Sequence, residues 1–67
     1  MRKWLKEFRL KMKLSQSDVA FKSGITQQQY SFIENGNRSP SVDTAQSIAN
    51  VLGFNWTRFF ESEQEAS

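Results

Sequence analysis

At 67 residues the chain has room for one domain with a single small core. A domain of this size takes only about 60% of its unfolded surface out of water, so it needs a further source of stability. There is no cysteine and no histidine, which excludes disulfides and the usual zinc ligands from that role; no metal or cofactor site is expected.

The remaining source is aromatic burial, from six Phe, two Trp and one Tyr. No segment approaches the ~20 apolar residues of a membrane span. Met1-Arg2-Lys3-Trp4 runs straight into charged residues, without the apolar stretch of a signal peptide. Together with the lack of cysteine, this leads to the expectation of a cytoplasmic protein. The net charge of +2 is unevenly spread. Arg2, Lys3, Lys6, Arg9, Lys11 and Lys13 crowd the first segment, while Glu61, Glu63 and Glu65 close the chain. Such asymmetry points to a polyanion at one face, although solvated helix faces carry similar charge runs.

Residues 2–13 carry Trp4, Leu5, Phe8 and Met12 near i, i+3, i+4 spacing, which predicts an amphipathic helix with Leu5, Phe8 and Met12 on its apolar stripe. Ser15 can cap the next helix, with Asp18 in the capping-box position. Val19 and Ala20 form its apolar face, and Gly24 ends it after about two turns. Ile25 sits in the turn. Thr26 caps a third helix, with Tyr30 and Ile33 inward and Asn35-Gly36-Asn37 as its stop. Asn37-Arg38-Ser39-Pro40 is a loop. Ser41 caps a fourth helix, with Val42, Ala45, Ile48, Ala49 and Leu52 on one face and Gly53 at its end. Asn55 caps a short fifth helix holding Trp56, Phe59 and Phe60. The expected fold is all-α, a compact five-helix domain over residues 1–61, with a polar tail at 62–67 that frays. Each helix is too short to persist alone, so the domain should fold as a unit.

The stretch from Gln16 to Glu34 is the most informative. Ala20 is small enough for two helices to approach, Gly24 supplies the turn, and Tyr30 and Ile33 fill the angle between them. These are the physical requirements of a helix-turn-helix. The chain resembles the phage-repressor and Cro type of that motif, the Xre family. The matching residues are Leu5, Phe8, Arg9, Leu14-Ser15-Gln16, Val19-Ala20 and Gly24-Ile25-Thr26. They continue with Ser31, Ile33-Glu34-Asn35-Gly36, Pro40-Ser41, Ala49, Leu52-Gly53 and Phe59. No single motif is specific; the ordered series over residues 5–60 is.

The resemblance implies a repressor-like fold whose third helix enters the major groove of duplex DNA, its first residues facing base edges. Gln27 and Gln28 are the expected base contacts, because a Gln amide donates and accepts together at adenine N6 and N7. Gln is also an ordinary exposed helix former. Ser31 is small enough to approach a base or the backbone. Phe32 stands where family members often carry a polar residue. Its ring either packs on a thymine methyl or folds back over the domain.

Gln16, at a helix N-terminus, is expected over a phosphate. Thr26, chiefly a cap, and Gln29, turned from the base edges, are assigned to the DNA backbone with Asn35, Asn37 and Arg38; Asn35 has helix capping as its alternative. The resemblance further implies an ion pair between Arg9 and Glu34, against the alternative of two separate exposed charges. The N-terminal basic run is expected to add only a long-range field.

No nucleophile–base pair and no phosphate-cradling glycine loop is present, so catalysis is not expected. The rival reading is a protein-interaction module, such as an antitoxin or accessory subunit, with Trp4, Trp56 and Phe60 as an exposed patch. The glutamines and Arg38 favour DNA. Family members commonly bind two-fold operators as dimers through the C-terminal region. Trp56 and Phe60 are the candidate dimer surface, which would set two reading helices about 34 Å apart. The expected function is a sequence-specific double-stranded DNA-binding transcriptional regulator, a repressor of a phage, mobile element or bacterium, without a small-molecule ligand.

Overall fold

The computed structural model describes residues 1–61; the tail expected to fray, 62–67, lies outside the described residues. Four helices run in order: α1 Lys3–Lys11, α2 Gln16–Ser23, α3 Gln27–Asn35 and α4 Val42–Leu52. A single turn of helix at 58–61, α5, follows, and no strand occurs among the described residues.

Local chemistry sets most boundaries. Ser15, Thr26 and Ser41 each adopt an extended backbone and accept, through the side-chain oxygen, the N–H three residues on. The first two close reciprocal boxes. Asp18 Oδ2 accepts the Ser15 N–H at 3.0 Å. Gln29 Oε1 accepts the Thr26 N–H at 3.0 Å. Each box satisfies donors that a helix start otherwise leaves unpaired. Gly24 has φ 75°, a left-handed conformation that costs glycine little. It lets Ile25 N–H return to the Ala20 carbonyl at 3.0 Å, and α3 starts after one further residue, Thr26. Asn55 accepts the Thr57 N–H at 3.0 Å on Oδ1, but the first main-chain bonds are of i→i+3 type, Arg58 N–H to the Asn55 carbonyl at 3.0 Å and Phe59 N–H to the Trp56 carbonyl at 3.2 Å, so the closing helix begins only at 58.

α1 is shorter than the 2–13 periodicity suggests. Lys13 takes φ 58°, and Leu14 N–H turns back to the Arg9 carbonyl at 3.2 Å. Met12 therefore leaves the apolar stripe and is 51% exposed, while Leu14 packs against the core. Val42, the first residue of α4, is likewise half exposed rather than on the buried face.

α2 packs on both α3 and α4. Leu5, Val19, Ala20, Tyr30, Ile33, Ala45, Ile48, Leu52 and Phe59 form the buried cluster. Beside it Trp4 meets Phe8, Phe54 and Phe59 edge-on, at centroid distances of 6.4, 5.2 and 5.2 Å. Such pairs add to the stabilisation from burial alone. The Arg58 guanidinium lies over Trp4 at 5.0 Å and over Phe8 at 5.7 Å. Trp4, Trp56 and Phe60 are thus half-buried and packed against the core, not an exposed patch. Phe60 meets Trp56 edge-on at 5.9 Å.

Candidate nucleic-acid interface

α3 stands on a buried polar anchor. Glu34, in its last turn, is 1% exposed. Arg9 of α1 donates from Nε to Glu34 Oε1 at 2.8 Å and from Nη2 to Oε2 at 3.5 Å. Gln16 Nε2, at the start of α2, donates to Oε2. The Tyr30 hydroxyl, one turn back on α3, donates to Oε1 at 3.3 Å. One carboxylate therefore ties three helices together. Arg9 also donates from Nη1 to the Leu14 carbonyl at 2.9 Å, which fastens the α1–α2 turn. The hydrogen bond to Glu34 holds the Arg9 guanidinium above its ordinary pKa, against the opposing effect of burial. Burial, with the neighbouring Glu34 carboxylate, pushes the Tyr30 phenol well up. Buried charges are tolerable in this way only when paired and hydrogen-bonded.

The opposite side of α3 faces outward. Gln27, Gln28, Ser31 and Phe32 line an open cleft of about 490 Å³ together with Gln16. Gln27 and Gln28 are exposed, Ser31 and Phe32 half-buried. Phe32 has the Arg38 guanidinium 5.5 Å from its ring centroid, within cation–π range. The ring neither stands free nor folds wholly into the core. It forms a wall of the cleft, capped by a cation from the next loop.

Gln29 does not join that cleft. Its side chain closes the Thr26 box and lines a separate hollow with Ile25, Ile33, Arg38, Pro40, Ser41 and Thr44. The backbone-contact role expected of Gln29 thus meets a competing use of the same amide. Gln16 is similar: one N–H of its amide is spent on Glu34, while the residue still lines the cleft, so its second N–H and its carbonyl oxygen stay available there. Thr26 is exposed, with its oxygen occupied by the Gln29 N–H at 3.1 Å. Asn35 Nδ2 donates to Ser31 Oγ at 3.4 Å, one turn back along α3. Asn37 and Arg38 are exposed, and their N–H groups return to the Phe32 carbonyl at 2.9 and 3.3 Å.

A family model described as Helix-turn-helix matches residues 5–59, nearly all of the described chain. The chain belongs to the helix-turn-helix family. Within the helix-turn-helix, α2 and α3 are the paired helices and Gly24-Ile25-Thr26 the turn. The chain is 49% identical over 61 residues to a protein of Bacillus subtilis (strain 168) named Uncharacterized HTH-type transcriptional regulator YqaF; the match spans 91% of this chain and 80% of that protein. It is 32% identical over 65 residues to an Uncharacterized HTH-type transcriptional regulator of Archaeoglobus fulgidus, spanning 97% of this chain and 92% of the relative. No solved structure gives a significant match.

Two features of this helix-turn-helix escaped the sequence reading. Arg2, taken there for part of a diffuse basic run, donates its backbone N–H to the Glu34 carbonyl at 2.7 Å and holds the end of α3. Phe21, on the outer face of α2, is 86% exposed. The first is a contact between residues far apart in sequence. The second was legible, being one step from Ala20 and off the inward face. Among the described residues no group of metal-ligating side chains occurs, and no helix is long and apolar enough to cross a membrane.

Proposed function

We propose that this protein is a sequence-specific duplex-DNA-binding transcriptional regulator that lays α3 in the major groove. One observation carries the reading. Gln27, Gln28, Ser31 and Phe32 share one outward cleft, on a helix whose other face is anchored through buried Glu34. Gln27 and Gln28 offer paired donor and acceptor groups to adenine edges, and the Phe32 ring suits a thymine methyl. Ser31 allows close approach. The start of α2 at Gln16, Asn35 at the end of α3 and the loop bearing Asn37 and Arg38 flank the cleft and meet phosphates, which set register without reading sequence. Thr26 and Gln29 contribute mainly by capping, and only their outer atoms meet the backbone. Both relatives carry names of transcriptional regulators. The simplest mode of action is repression in the cytoplasm, by occupying a site that transcription needs.

A homodimer on a two-fold operator extends this reading, with Trp56 and Phe60 at the contact between copies. The rival protein-interaction reading draws less support, since Trp4, Trp56 and Phe60 are largely committed to the protein's own packing.

Selection from a random duplex pool tests the proposal. The expected product is an enriched sequence with two inverted half-sites about 10 base pairs apart, one helical turn. Absence of enrichment at low salt would sink sequence-specific reading. An enriched single half-site would remove the dimer alone. The recovered site, set over a reporter promoter, should lower transcription; a rise would replace repression with activation.

A further inference from the structure

Arg2 lies before the stretch that the family model matches, yet it makes a dense set of contacts. Its backbone N–H donates to the Glu34 carbonyl at 2.7 Å. Its guanidinium Nη1 donates to the Ile33 carbonyl and to the Arg38 carbonyl at 3.1 Å. Its Cζ stands 5.7 Å from the centroid of the Phe59 ring, which is fully buried. One residue at the start of α1 thus gathers two carbonyls from the last turn of α3 and one from the loop beyond. At the same time it rests on the aromatic core beneath α5.

The physical need for such a residue is clear. The last carbonyls of a helix lack partners within it, and a cation there also meets the negative end of the helix dipole. The Gly36–Arg38 segment has no helix or strand of its own to fix it. Its main chain is tied back to Phe32 by two N–H groups, and the Arg2 bond to the Arg38 carbonyl is a further tie. The peptide so held carries the guanidinium that covers Phe32. Moving the Arg38 backbone would shift a phosphate-facing cation and uncover the Phe32 wall of the reading cleft.

We propose that Arg2 is a positioning residue for DNA binding, which holds the Gly36–Arg38 loop in its working place without itself touching DNA. This rests on the reading of Arg38 as a phosphate contact. The test uses the full chain and a labelled mixed-sequence duplex of about 30 base pairs, three helical turns. Affinity is measured across a salt series for the wild type, Arg2→Ala, Arg2→Lys, Arg38→Ala and the Arg2→Ala/Arg38→Ala pair, with circular dichroism establishing that each is folded at the assay temperature.

Arg38→Ala should weaken binding and flatten the salt slope. Arg2→Ala should weaken binding by roughly tenfold, the order expected for coupled neighbours. In the Arg38→Ala background it should cost far less, because the loop it holds no longer carries the contact. Arg2→Lys keeps the charge, lacks the planar group over Phe59, and should recover only part of the loss; it also serves as the probe if the alanine variant unfolds. Wild-type affinity in a folded Arg2→Ala, even with a lowered melting temperature, overturns the proposal, since Arg2 would then be only stabilising. Equal cost in both backgrounds with full recovery by Arg2→Lys also overturns it, marking a direct charge contact. A normal Arg38→Ala loss in either case leaves the phosphate reading intact. Unchanged affinity and slope in Arg38→Ala would instead overturn that reading, and this proposal with it.

Discussion

Gln28 and Gln29 differ by one step along α3 and by everything in their surroundings. Gln28 is exposed in the cleft with Gln16, Gln27, Ser31 and Phe32, where its amide is presented outward. Gln29 uses its carbonyl oxygen on the Thr26 N–H. A 100° turn of the helix separates an outward amide from a cap. Gln28→Ala should therefore cost roughly 1–3 kcal/mol on the preferred duplex and relax the choice at one base pair. Competition binding against a panel of single-base variants measures both; an equal loss on every variant would make Gln28 a positioner only. Phe32 belongs to the same scale. Its ring under the Arg38 guanidinium sets an apolar surface and a cation side by side at the cleft.

Among the elements, α3 is tied through one carboxylate to both α1 and α2. Arg9, Gln16 and Tyr30 all donate to Glu34, and the Arg9 side chain is itself only 10% exposed. Glu34→Ala would leave a buried cation unpaired, a change that typically costs about 3–5 kcal/mol. In a domain this small that approaches the whole of its stability. Thermal unfolding of Glu34→Ala should show a large drop in melting temperature; a drop no larger than that of an exposed Glu7→Ala would remove the anchor role. α2 carries a pH-dependent feature. The Ser15 N–H, then its hydroxyl, hold the Asp18 carboxyl below its usual pKa. A depressed folded pKa gives stability that is present above the unfolded value, about 3.9, and lost as pH falls through the folded one. Melting curves from pH 7 to pH 2 should show Asp18→Asn losing less of its stability in acid than the wild type; parallel losses would refute the link.

For the molecule as a whole, the question is what its C-terminal aromatics do besides fill the core. Phe59 is fully buried, while Trp56 and Phe60 keep part of their surface. If that surface joins two copies, Trp56→Ala should weaken binding to a full two-fold site and spare a single half-site. Equal weakening on both duplexes would assign Trp56 to packing alone. Much of this architecture was legible in the sequence because its signals are local. Ser15, Thr26 and Ser41 cap within three residues of themselves, and Gly24 ends α2 through its own φ. What was not legible depends on distant partners or on one unexpected dihedral. The left-handed Lys13 ends α1 early and turns Met12 outward. Trp4 looked exposed because Phe54 and Phe59, which enclose it, lie some fifty residues on. Arg2 looked like one of several similar cations until its carbonyl partners at Ile33 and Arg38 were in view. At the candidate site the residue types of the outward face could be read from helical spacing. The competing engagements of Gln16 and Gln29 could not, because nothing in spacing says which of two hydrogen-bond partners an amide takes.

α3 also has a consequence for descent. Its inward positions, Tyr30, Ile33 and Glu34, and its outward ones, Gln27, Gln28, Ser31 and Phe32, share no member. Replacements in the outward set leave the buried anchor and the cap largely untouched. If those four residues read DNA as proposed, a lineage can acquire a new target by changing four codons, inheriting the scaffold unaltered, and a duplicated gene can diverge in what it recognises before it diverges in how it folds.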